Sequence, residues 1–332
     1  MALPGSSWFI GETGFHNFLF LILNIVKTNH PLVSVIVVSY NQGKYITQML
    51  DSLKNQTFYN WELIVADDAS KDKSVDIFNS WLLNNKVSAK KIYHDNNKGL
   101  ATVLNKAVEI CDGEFIKIIA ADDYLHSEYL KKCINFLVEK GESYGMVFTD
   151  TFAVSEENKL LPDIADYNSL ANLDPIYFNE MLLFGNRIAG LTVLIRKKVL
   201  IETGKYDIKF LIEDYYRWLK ISEKYLIAYI PKKLTYYRLH EENISKIKAE
   251  RIGLEANFLP LLFDKKGHLK TKIDNYIQEL YLNKKKIPMY LLKIYFSYPY
   301  AKHTLKFCIK NKIPSLFYRA FFSLSVRLGY KF

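Results

Sequence analysis

Between Val33 and Ala120 the chain alternates short β-branched runs with apolar stripes at helical spacing, and few folds accommodate that pattern. VSVIVV (33–38) suits a fully buried strand, and Ile46, Met49, Leu50 and Leu53 then mark one face of a helix. WELIVA (61–66) repeats the strand, with Val75, Phe78 and Leu82 striping a second helix. A third strand is predicted near KKIYH, followed by the clearest helical stripe, Leu100, Val103, Leu104, Ala107, Val108 and Cys111, and EFIKIIA (114–120) makes the fourth strand. Strands alternating with helices imply an α/β fold: a mostly parallel, Rossmann-like sheet with helices on both faces, right-handed crossovers and a ligand crevice at the carboxyl ends of the strands.

The polar residues at those ends define the chemistry. Ser39, Tyr40 and Asn41 follow the first strand, Asp67 and Asp68 the second, Asn96, Asn97 and Gly99 the third, Asp122 and Asp123 the fourth. No G-x-G-x-x-G follows a strand and no G-x-x-x-x-G-K-[ST] occurs, so dinucleotide cofactors and P-loop chemistry lack their usual signatures. Asp122 and Asp123 leave an apolar strand together, and two adjacent carboxylates are costly to desolvate unless a cation sits beside them. Four acids on one rim fit a nucleotide whose phosphates arrive with a divalent metal.

Charge divides the chain unevenly. From Arg251 onward there are sixteen Lys/Arg against four Asp/Glu, and after Glu279 no acidic residue occurs, while Phe, Tyr and Leu run throughout. Basic residues interleaved with aromatics suit an anionic membrane surface, and nucleic acid attracts the same composition. The clustered crevice acids speak against nucleic acid, because they repel phosphate unless metal intervenes. Three widely spaced cysteines give neither a disulfide framework nor a zinc site and point to a reducing, cytoplasmic compartment. Phe15–Val26 is too short to span a bilayer and lacks signal-peptide features; its one-faced apolar pattern suits packing on the domain or lying in a membrane interface.

The segments VSVIVVSYNQGKYITQMLDSLKNQTFYNWELIVADDAS, NNKGLATVLNKAVEICDGEFIKIIAADDYL, EDYYRWLKI and YYRLHEENIS, in that order, resemble the successive motifs of family 2 glycosyltransferases, inverting enzymes of the GT-A fold. The resemblance covers about residues 31 to 245, roughly two-thirds of the chain. It implies a nucleotide-sugar donor, probed by Asp67 and Asp68 at uracil or ribose and by groups around Val38, Tyr40, Asn41, Asn97 and Gly99. Asp122 and Asp123 fall on the family's acidic metal and ribose motif, with His240 reaching toward the metal, Mn²⁺ or Mg²⁺, and Arg238 supporting it. Ala120 stands where many members carry a first Asp, and Leu104 where many carry Arg. The catalytic base is implied in the Glu213–Asp214 pair, with Asp214 the base and Glu213 its partner, because an acceptor hydroxyl must lose its proton as it attacks.

The chain then divides into an N-terminal apolar segment (1–30), a nucleotide-sugar-binding half (31–125), an acceptor and catalytic half (126–245) and a basic helical C-terminal extension (246–332). The expected partners are a UDP-sugar, a glycan or lipid-linked acceptor in surface polysaccharide synthesis, and an anionic membrane at the cytoplasmic face of the plasma membrane. A catalytically silent sugar-nucleotide-binding subunit and a soluble protein glycosyltransferase are the alternatives. Each site also has a plainer reading: Glu213 and Asp214 as helix-start acids, Asp67 and Asp68, Asn41, Asn97 and Gly99 as turn residues, His240 as a structural histidine, and the C-terminal region as a helical layer packed on the domain.

Overall fold

The computed structural model describes residues 31–165, 168–170 and 172–318, so the segment Phe15–Val26 lies outside the described residues. The first half runs β1 (Val33–Ser39), α1 (Gly43–Lys54), β2 (Trp61–Asp67), α2 (Ser74–Asn85), β3 (Ala89–Tyr93), α3 (Leu100–Ile110) and β4 (Phe115–Ala120). Then come β5 (Tyr124–Leu125), α4 (Tyr129–Lys140), β6 (Tyr144–Val154), β7 (Leu160–Leu161), α5 (Pro175–Met181), β8 (Leu194–Arg196), α6 (Lys197–Glu202), α7 (Glu213–Ser222) and β9 (Leu226–Arg238). The C-terminal region supplies α8 (Ile244–Ile247), α9 (Ala249–Phe258), α10 (Lys270–Leu282), α11 (Met289–Ser297) and α12 (His303–Lys310).

One sheet passes through both halves in the order β3-β2-β1-β4-β8-β6-β9-β5, with β7 on β6. The pairs β1·β2, β1·β4, β2·β3 and β6·β9 are parallel, while β8 is antiparallel to both β4 and β6. Every residue of β1 is buried, as expected of a central parallel strand covered on both faces. Its side chains alternate: Val33, Val35 and Val37 join one apolar cluster with α1, α2 and α4, while Ile36 and Val38 join another with α3. The α1 stripe Ile46, Met49, Leu50 and Leu53 is completely inaccessible, and each such side chain contributes about 1.5–3 kcal/mol by leaving water. α5 starts where Asp174 accepts the N–H groups of Ile176 and Tyr177 ahead of Pro175 at the first helical position.

The strand order reverses at β1, with β2 on one side and β4 on the other, which opens the crevice at their carboxyl ends. On the α3 side of the sheet, Phe258, Leu259, Ile277, Leu291, Tyr295 and Leu305 share the cluster that contains Ile36 and Ile64. The C-terminal helices are thus a packed layer of this fold. Among the described residues no helix is long and apolar enough to cross a membrane.

Candidate active site

The register of β1 against β4 sets Val38 beside Ala120, so Ser39–Asn41 and Asp122–Asp123 emerge together. The Val38 carbonyl accepts the Ala121 N–H at 2.8 Å, and Tyr40 next to it is half exposed. Asn41, at φ 56°, receives Lys71 N–H on its side-chain oxygen at 2.8 Å and donates its own N–H to Ser70 Oγ at 2.7 Å. Asp67 accepts both the N–H (2.8 Å) and the hydroxyl (2.6 Å) of Ser70. Asp68 accepts Lys98 N–H at 2.9 Å and Gly99 N–H at 2.8 Å, and its other contact is His94 Nδ1 at 2.9 Å. These two acids hold the turns after β2 and β3. Gly99, at φ 83°, lets the chain swing into α3, and Asn97 is exposed on the same loop.

Asp122 and Asp123, both buried, face different partners. Asp123 Oδ1 accepts the Arg238 N–H at 2.9 Å, and burial, reinforced by the charge of Asp122, pushes its carboxyl well above the usual range. Asp122 Oδ2 lies 3.0 Å from His240 Nε2, while its Oδ1 has no hydrogen-bond partner among the described residues. Arg238 ties this corner together: Nε donates to the Asp122 carbonyl (2.8 Å), Nη1 to the carbonyls of Ser155 and Glu156 (both 3.1 Å) and Nη2 to Gln48 (2.7 Å). Asn243 accepts the His240 N–H at 2.7 Å and fixes the turn that carries the imidazole.

Three buried polar atoms at this rim have no partner among the described residues: Ser39 Oγ, Asp122 Oδ1 and His240 Nδ1. Such atoms cost about 1–3 kcal/mol each unless a ligand satisfies them. Among the described residues no three His, Cys, Asp or Glu side chains form a complete metal cage. An open carboxylate oxygen beside an imidazole nevertheless fits a divalent ion that takes its other ligands from substrate phosphates and water.

The second acid pair opens α7. Asp214 Oδ1 accepts the Tyr215 N–H at 2.6 Å, and a Cβ added to Gly190 would stand 3.4 Å from Asp214 Oδ2, so the Gly190–Thr192 turn lies against this carboxylate. Burial raises Asp214 to about 6. Burial, the Asp214 charge and then the Glu255 charge raise Glu213 well above the carboxylate range. Tyr237 on β9 feels the charge of both acid pairs: burial raises its phenol, the Ser245 hydroxyl opposes this, and the charges of Asp123, Asp122 and Asp214 add to the rise.

Several structural contributors had no motif. Lys117, inaccessible within β4, donates to the carbonyls of Leu191 and, at 3.4 Å, Val193, and stands 4.4 Å from the Tyr129 ring centre. Burial lowers its ammonium to about 7. A lysine inside the run FIKIIA was the sequence signal for this anchor. Asn105 binds Tyr206 reciprocally, donating to its carbonyl at 2.9 Å and accepting its N–H at 2.7 Å, and the Tyr206 ring lies 4.1 Å from the Arg217 guanidinium on α7. Leu104, in the position noted for a frequent Arg, is buried in the α3 apolar cluster. A separate cavity of about 400 Å³, lined by Tyr177, Phe184, Arg187, Phe263 and His268 among others, involves none of these acids.

Residues 34–199 match the sequence profile of "Glycosyl transferase family 2". EpsH of Bacillus subtilis (strain 168), which bears a glycosyltransferase name, is 28% identical over 222 residues, covering 64% of this chain; the chain spans only 62% of the length of EpsH. The Escherichia coli protein named UDP-Glc:alpha-D-GlcNAc-diphosphoundecaprenol beta-1,3-glucosyltransferase WfaP is 29% identical over 241 residues, 71% of this chain and 89% of WfaP. Residues 1–349 of S. aureus TarS, solved in complex with UDP, superpose with a TM-score of 0.60 at 20% identity over 90% of this chain and 92% of that one, which establishes the GT-A fold.

Proposed function

The chain belongs to glycosyl transferase family 2, and on that premise we propose that it moves a sugar from UDP to a hydroxyl of a lipid-linked glycan, with inversion at the anomeric carbon. The observation that carries this reading is the pair of acid clusters, one with an open carboxylate oxygen beside His240 and the other packed against the Gly190–Thr192 turn with a carboxyl raised to about 6. The donor and acceptor classes are those in the name of WfaP, and the UDP bound to TarS points to the same donor base.

Asp214 takes the proton of the acceptor hydroxyl as that oxygen attacks the anomeric carbon and the bond to the diphosphate breaks. Burial and the Asp214 charge both raise Glu213, so the pair resists carrying two negative charges and Glu213 is the member whose ionisation is the more disfavoured. Ser39, Asp122 and His240 receive the donor phosphates and ribose at the β1–β4 crevice. Asp122 and His240 are the residues that would hold Mn²⁺ or Mg²⁺, and when bound the ion neutralises charge on the departing UDP. Asp123 and Arg238 keep that corner in register from beneath. Asp67, Asp68, Asn41, Asn97 and Gly99 shape the loops that border the nucleoside.

The C-terminal layer is proposed to rest on an anionic membrane at the cytoplasmic face. Phe307, Leu316 and Phe317 are 62%, 72% and 63% exposed, with Lys310 and Lys312 exposed beside them in sequence. The experiment for the enzyme reading is UDP release from a panel of UDP-hexoses and UDP-N-acetylhexosamines with Mn²⁺, set beside calorimetric UDP binding. Release from one donor, enhanced by a diphosphoundecaprenol-linked sugar, supports the reading. UDP binding without turnover of any donor and acceptor pair makes the chain a silent binder, and absence of binding ends the proposal.

A further inference from the structure

Glu255, on α9, is wholly inaccessible to solvent, a costly position for a carboxylate unless its oxygens are fully engaged. They are engaged by four groups. Oε2 accepts the main-chain N–H of Leu211 at 2.6 Å and of Ile212 at 3.2 Å; Oε1 accepts Arg251 Nε at 2.8 Å and the Tyr290 hydroxyl at 2.7 Å. Arg251 also donates to the Lys209 carbonyl at 2.9 Å, so the segment ahead of α7 is gripped at three points by α9.

Leu211 and Ile212 are the two residues immediately before Glu213 and Asp214. The residue at the N-cap of α7 is Ile212, whose side chain cannot accept the free N–H groups of a helix start. Glu255 does for this entry segment, from forty-odd residues downstream, what the Glu of a capping box does locally, accepting the N-cap N–H from outside the helix, and Tyr290 of α11 braces it.

We propose that Glu255 is a positioning residue for the transfer step: through Leu211 and Ile212 it fixes the entry to α7 and so the direction in which Asp214 presents its carboxylate to the acceptor. This rests on the reading of Asp214 as the base. It gives the C-terminal layer a part in turnover separate from any contact with membrane, since Arg251, Glu255 and Tyr290 all belong to that layer. None of the donor-side residues Ser39, Asp122 and His240 bonds to Glu255, so the effect falls on kcat and leaves UDP affinity in place.

The test compares full-length Glu255→Gln, Tyr290→Phe and Asp214→Asn with the wild type. The readouts are UDP release with the UDP-sugar that the wild type uses, UDP affinity by calorimetry, and hydrogen exchange of the peptide spanning 209–214. Glu255→Gln keeps one acceptor oxygen and nearly the same volume; its kcat should fall about 10–100-fold, the scale of a small misplacement of a reacting group, with UDP affinity within about twofold. Exchange at 209–214 should rise in the same variant, and Tyr290→Phe should show both effects in smaller measure. Unchanged exchange, or unchanged kcat with faster exchange, overturns the proposal, as does a parallel fall of kcat and UDP affinity that marks general loss of folded protein. If Asp214→Asn keeps wild-type turnover, the base reading falls and the proposal with it; if Asp214→Asn is inactive while Glu255→Gln is not, only the positioning role falls.

Discussion

A carboxylate that burial lifts to about 6 is a poor surface acid and a suitable base near neutral pH, and this sets what Asp214 should do when titrated. Its useful form is the anion, so kcat should be lost as pH falls through about 6 and level off above it. Asp214→Asn should remove that limb and lower kcat by about 10²–10⁴-fold while UDP affinity holds. The same burial makes the anion unfavourable in the folded state: a folded pKa above the unfolded value means stability is lost as pH rises through the window from the ordinary carboxylate range to about 6. Asp214→Asn should therefore raise Tm at pH 8 by about 2–4 °C and leave it unchanged near pH 3; a lower Tm at pH 8 assigns the residue to holding α7 together. At the other cluster, Asp122 has the open oxygen and Asp123 does not face the same partners. Asp122→Asn should cost the Mn²⁺-dependent part of UDP affinity and none of the affinity measured in chelator, whereas equal losses in both media remove the metal role from this residue. Asp122 and Asp123 stand out in the sequence because they follow an apolar strand, whereas Glu213 and Asp214 are marked by the family resemblance. Asn105 and Glu255 stand out by neither route, and the lysine inside FIKIIA marks Lys117 only as an oddity in an apolar strand; each acts through a backbone group 43 to 101 residues away, and chain order does not say which group that is.

At the level of strands and helices, β1 to β4 and α1 to α3 were readable because each is long enough for a period to show and is buried on a consistent face. β8 has three residues and β5 two, and they exist because neighbouring strands supply their hydrogen bonds, so no periodicity could announce them. The third strand shows the limit at a boundary: the sequence places it only near KKIYH, and β3 runs Ala89–Tyr93 with His94 turned toward Asp68. That contact gives Asp68 a testable duty. With two main-chain N–H groups and one imidazole on its oxygens, Asp68→Ala should destabilise the fold by about 1–3 kcal/mol and speed amide exchange at Lys98 and Gly99. Loss of UDP binding with unchanged exchange at those amides would instead make Asp68 a direct nucleoside contact, as the family resemblance implied.

Across the whole molecule, the basic aromatic tail raised a choice between a lipid-facing arm and a packed layer, and the burial pattern separates the residues that pack from those left exposed. Leu291, Tyr295 and Leu305 are inaccessible within the catalytic core, so a chain ended near Glu279 loses core side chains along with any membrane contact. Truncation therefore cannot separate the two roles, and substitutions on the outer face can. Phe307, Leu316 and Phe317 are largely exposed and the lysines at 310 and 312 are exposed with them, a combination that offers apolar insertion together with attraction of about 1 kcal/mol per cation near an anionic surface. The full-length chain should sediment with vesicles containing phosphatidylglycerol and less so with pure phosphatidylcholine, and the binding should weaken steeply between about 0.05 and 0.5 M salt as screening shortens the reach of those charges. Phe307→Ser with Phe317→Ser should weaken vesicle affinity by about 30-fold or more, because each removes a side chain whose burial in the interface contributes roughly 1 kcal/mol or more, while UDP affinity and Tm stay at wild-type values. Equal sedimentation of the double variant and the wild type places any lipid contact elsewhere on the chain, and no sedimentation of the wild type at low salt leaves the C-terminal helices with packing as their role.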